Sequence, residues 1–81
     1  MILLEKNFSQ IETGFEHTVI FEFEGRTFSA LVIESVDETF VQDCFEVKEN
    51  NFPIDIPKYF GQYSGDVFAF IYDNIQRGFP S

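Results

Sequence analysis

The stretch TVIFEFEGRTFSALVI, residues 18–33, constrains the fold more than any other part of the chain. Over residues 16–24 apolar and polar side chains alternate, the period of a strand with one face buried. Val19, Phe21 and Phe23 fall on one face; Glu16, Thr18, Ile20, Glu22 and Glu24 fall on the other. Gly25 tolerates positive φ and marks the turn, and residues 27–35 form the return strand. A two-residue turn at 24–25 sets Phe21 opposite Phe28 and Val19 opposite Ala30, whereas a four-residue loop at 24–27 sets Phe23 opposite Phe28. Both registers keep the same faces, because only an odd slip exchanges them. The predicted core face is therefore Val19, Phe21, Phe23, Phe28, Ala30 and Val32. Ser29, Leu31 and Ile33 join the Glu-bearing face.

A third strand is predicted at 40–48, with Val41, Phe45 and Val47 inward and Gln42, Cys44 and Glu46 outward. The VDET run before it supplies a turn. Pro53 and Pro57 argue against any regular element over 49–62, and Phe52, Ile54, Ile56, Tyr59 and Phe60 predict an apolar loop packed over the sheet. Val67, Phe68, Ile71 and Ile75 recur at helical spacing. Ser64 as N-cap, Asp66 in the first turn, an Asp73–Arg77 pair, Gly78 as the C′ residue and Pro80 beyond it predict a helix over 65–77. Residues 2–13 admit either period, and the expectation is a short strand followed by a turn. The outline is one α+β domain over 1–81: a small antiparallel β-meander of three or four strands with a C-terminal amphipathic helix packed on one face.

A chain of 81 residues has a small core, so each large side chain counts; 12 Phe and 3 Tyr supply it. Fourteen acids against five bases give a net charge of −9. That surface opposes direct binding to nucleic acid, which needs clustered Lys and Arg, and it opposes anionic membranes. It attracts a basic protein. Cys44 is the single cysteine, which excludes an internal disulfide and fits a reducing cytoplasm, the cell's own or a host's. The apolar run in MILLEKNFSQ is too short for a signal peptide or a membrane span.

No pattern in the chain names a reaction. His17 is the single histidine and reads as structural, since a metal site needs several converging ligands. Asp43 and Glu46 flank Cys44 and oppose a reactive thiolate. Glu22 and Glu24 stand about 6.6 Å apart along one strand and read as solvated. The GQYSG run lacks the lysine of a phosphate-binding loop. The expectation is a non-enzymatic protein without catalytic residues, metal or cofactor.

Carboxylates spaced along a strand imitate a nucleic-acid backbone, but Ile20, Leu31 and Ile33 lie among them and suit a mixed interface better. The expected partner-binding set is Glu16, Ile20, Glu22, Glu24, Leu31 and Ile33, and the expected partner is a basic protein, one that handles nucleic acid. Phage-encoded inhibitors and immunity-type proteins share this profile of small size, acidity and no catalytic motif, which is an analogy of class only. The alternative is a homodimer or assembly subunit that uses the same face or a free strand edge. The N-terminal segment, a second copy or a target is left to cover those three apolar residues.

Overall fold

The computed structural model describes residues 1–75, and all structural statements below concern them. β1 (Ile2–Ile11), β2 (Gly14–Phe23), β3 (Arg26–Ser35), β4 (Thr39–Glu46) and β5 (Phe52–Pro53) follow one another across a single antiparallel sheet in chain order. Next come α1 (Ile56–Phe60), a 3-10 turn (Gly61–Tyr63) and α2 (Ser64–Asp73). The expected α+β meander with a C-terminal helix on one face is present, with five strands. The thinnest dimension is 19 Å, the depth of one sheet and one helical layer.

The central hairpin takes the tighter of the two registers. Phe23 pairs with Arg26, Phe21 with Phe28 and Val19 with Ala30. Glu24 and Gly25 form the turn with φ of 53° and 77°, the double left-handed geometry whose twist matches the strands it joins. Val19, Phe21, Phe28, Ala30 and Val32 are buried as expected, and Phe23 is half-buried. Phe28 meets Phe21 at 5.5 Å and Phe60 at 5.0 Å between ring centroids, so the hairpin and α1 share one aromatic cluster. Val67 and Ile71 of α2, one helical turn apart, close the core from the other layer.

Five expectations are corrected. The strand before the turn in residues 2–13 is not short: β1 runs ten residues as an edge strand beside β2, with Leu4 as an extra residue where the register shifts. The inward set of the third strand is also different. A bulge leaves Gln42 unpaired between Val41, opposite Val32, and Asp43, opposite Leu31. One extra residue reverses the alternation, so Val41 stays inward, Cys44 and Glu46 turn into the core, and Phe45 turns out. Val47 lies beyond the strand and is exposed.

Residues 49–62 are not wholly irregular. Pro57 sits in the first turn of α1, where its missing N–H interrupts nothing, and Ile56 and Phe60 are buried as the expected apolar cover. Ser64 does not cap α2. The 3-10 turn already places it in helical geometry, so Tyr63 holds the N-cap position and makes no side-chain capping bond. The C-terminal end of α2 is closed by Asn74, whose Nδ2 donates to the Phe70 carbonyl at 2.8 Å. α2 ends at Asp73, short of the expected 77; Arg77, the expected partner of Asp73, lies outside the described residues, as do Gly78 and Pro80. The VDET turn is as expected: the Ser35 N–H donates to the Glu38 carbonyl at 2.8 Å, and the Glu38 N–H donates to the Ser35 hydroxyl at 3.2 Å.

Candidate functional site

The helical layer leaves one face of the sheet uncovered, and parity decides what that face carries. Glu16, Thr18, Ile20 and Glu22 of β2 share it with Ser29, Leu31 and Ile33 of β3. β1 lies beside this face as an edge and does not fold over it. Thr18 stands opposite Leu31 and Ile20 opposite Ser29, which puts Ile20 and Leu31 on a diagonal, within reach of each other's side chains. Ile33 stands opposite Glu16 on one side and Phe40 on the other. Five of the six expected binding residues therefore meet on one surface. Glu24 does not join them. It occupies the hairpin turn and lines a depression with Arg26, Tyr59 and Tyr63 instead.

Three members of this surface were not anticipated. Phe40, 40% exposed, extends the apolar diagonal beyond Ile33, and the bulge adds Phe45 opposite Ser29. Val36, in the loop after β3, is 81% exposed. With Ile33 and Phe40 it lines a depression of about 510 Å³ that Asp37 and Glu38 also line. Phe40 was visible by its odd offset from Val41, whereas nothing local marked Phe45, because the bulge depends on how β4 meets β3.

The charge on this face is of one sign. Glu5, Glu16, Glu22 and Asp43 occupy its strand positions. Every described Lys and Arg lies elsewhere. Lys6 pairs with Val19 and Arg26 with Phe23, both on the helical side. Lys48 approaches Glu46 at 3.4 Å, and Lys58 belongs to α1. An apolar centre with an acidic surround is the anatomy of an interface core and rim.

The groups that could do chemistry are internal. His17 and Glu34 are 1% and 4% exposed, with His17 Nε2 2.9 Å from Glu34 Oε1, and Phe8 stacks on the imidazole at 5.6 Å. His17 thus lies deep in the core face. Glu34 was legible by parity, since the alternation from Phe28 through Val32 carries it inward. Glu46, 5% exposed, accepts from the Tyr59 hydroxyl at 3.3 Å, and Arg26 donates to the same hydroxyl at 2.7 Å. That hydrogen bond first, and then the charges of Tyr59 and Glu46, raise the Arg26 pKa. No group of three or more His, Cys, Asp or Glu able to hold a metal ion occurs among the described residues.

Burial pushes the Cys44 thiol up from 9.0 to about 12. At mildly alkaline pH the folded protein therefore holds roughly a thousandfold less thiolate than the unfolded chain. The unfolded thiol ionises first as pH rises, so this group lowers stability across the window from 9.0 to about 12 and is neutral below it. A disulfide reagent is expected to leave native Cys44 unlabelled at pH near 8 and to label it fully in denaturant. Rapid labelling of the native protein would show that β4 opens.

No described helix is long and apolar enough to cross a membrane. No family model, curated protein or solved structure matches the chain.

Proposed function

We propose that this chain is a non-enzymatic binding module that docks a basic protein on the uncovered sheet face and so inhibits or modulates it. The observation that carries this reading is the composition of that face: a diagonal of Ile20, Leu31, Ile33 and Phe40 among carboxylates, with no Lys or Arg at its described strand positions. The net charge of −9 steers a basic surface toward the chain, and apolar contact then holds it. A partner that handles nucleic acid fits best, because such proteins carry the required basic surface. The profile suits the phage-inhibitor and immunity-type class named above, acting in a cytoplasm where Cys44 stays reduced. Self-association through this face is disfavoured, because it would press two acidic surfaces together.

The test is affinity capture from the native or infected host with wild type and with Glu16→Lys/Glu22→Lys, at low and moderate salt. Wild type is expected to retain a basic protein, and the variant to associate with it about tenfold more slowly and with a flatter salt dependence. Equal capture by both would remove this face from consideration. A dimer by light scattering, dispersed by Ile33→Asp, would replace this reading with the assembly alternative.

A further inference from the structure

We propose that the cavity beside the open edge of β4 binds an extended, Lys- or Arg-bearing segment of the basic partner. This inference rests on the reading above and adds a contact that can be tested separately. β5 pairs with β4 only at Phe45 and Glu46, and the last bond between the two chain segments runs from the Ile54 N–H to the Cys44 carbonyl at 2.9 Å. The chain then turns away into α1. Among the described residues no strand flanks residues 41–43 on that side. The space left there is a cavity of about 350 Å³.

Its lining is apolar below and acidic at the rim. Val41, Ile54, Ile56 and Phe68 line it together with the exposed Asp43 and Asp55, and no described Lys or Arg does. Asp55 precedes α1, yet its side chain makes no capping bond to that helix. Both carboxylates are therefore placed for a cation brought from outside, with an apolar floor for the stem of a long basic side chain. Added strands bind by edge backbone and by pockets for alternate side chains. The bulge at Gln42 keeps any added ladder short, so the side-chain pockets carry the selectivity here.

Charge decides the occupant. A second copy of a −9 chain would bring further acids to a rim that already holds two. A basic segment neutralises them. Asp43 also stands opposite Leu31 on the uncovered face, so a partner seated there reaches the cavity simply by rounding β4.

The test is an amide NMR titration of the full chain with a synthetic peptide of alternating Arg and Val, against a control with Glu in place of Arg, at moderate salt. Saturable shifts are expected at Val41, Asp43, Ile54 and Ile56. Asp43→Asn and Asp55→Asn should each weaken binding about threefold, and the pair about tenfold. Both replace exposed side chains, and the spectrum itself reports whether the fold persists. Shifts confined to Ile20, Leu31 and Ile33 would overturn the cavity while leaving the docking face standing. Absence of saturable shifts, or equal shifts with the Glu peptide, would overturn it as well. Glu16→Lys/Glu22→Lys is expected to leave peptide binding at the cavity unchanged, which separates failure here from failure of the docking face.

Discussion

Gly14→Ala is expected to cost at least about 3 kcal/mol and to leave much of the population unfolded. Gly14 opens β2 with φ of +154°, directly opposite Ser35 of β3. A Cβ there would lie 2.0 Å from the Glu34 carbonyl oxygen and 3.1 Å from the Ser35 Cα. These are backbone atoms of the neighbouring strand, so no rotamer change relieves the overlap. Either the β2–β3 ladder separates at this end or Gly14 leaves its φ, and the turn to β1 moves with it. A chain of this length has about 4–12 kcal/mol of stability in total, so the loss is a large share. Gly25→Ala is the control. Gly25 has φ of +77° and nothing within 4 Å of an added Cβ, so only the left-handed penalty of about 1–2 kcal/mol applies. Urea midpoints of the two variants separate overlap from backbone preference. Equal midpoints would mean that the strands are not in close approach at Gly14.

The second large effect concerns the His17–Glu34 pair. Glu34→Leu leaves the buried imidazole without its 2.9 Å partner and is expected to cost about 1–3 kcal/mol. Removing one member leaves the polar atom of the other without that bond, and both residues are buried. Glu34→Gln keeps an acceptor in place and should cost less than half as much. His17→Phe combined with Glu34→Leu should recover part of the single-variant loss, because a well-packed apolar pair can match a buried polar one. A double-mutant cycle by chemical denaturation gives the coupling directly. A coupling near zero would show that the two side chains are held by the strands and not by each other.

These two sites mark how far local reading reaches. The alternation over β2 and β3 carries the faces of the hairpin without outside help, and Val19, Phe21, Phe28, Ala30 and Val32 are inside. Carried one step further, the same parity would have taken Glu34 inward to His17. Either register allows their bond: His17 stands diagonal to Glu34 in the two-residue register and would face it directly in the four-residue one. In the binding set, Glu16, Ile20, Glu22, Leu31 and Ile33 share a face because they share a strand pair. Glu24 left that face because it sits in the turn, as it does in either of the two loops that the sequence allows.

β4 shows the opposite limit. Its residues alternate well enough to assign, and the assignment fails after Gln42 because one residue bulges. A bulge is a relation between two strands, so no window on one strand contains it. The same holds for β1, whose mixed period became a full edge strand only by pairing with β2, and for Ser64, displaced from its capping role by the turn before it. What the sequence alone determined about this protein is its α+β class, the two faces of the central hairpin and a net charge of −9. Those follow from side-chain period and charge, which act locally or simply add. Only the tertiary structure decided that the N-terminal segment leaves the face of Ile20, Leu31 and Ile33 uncovered, that Phe45 enlarges it, and that Glu46 is buried. Each of those depends on which strand lies beside which, and pairing is settled by the whole sheet at once.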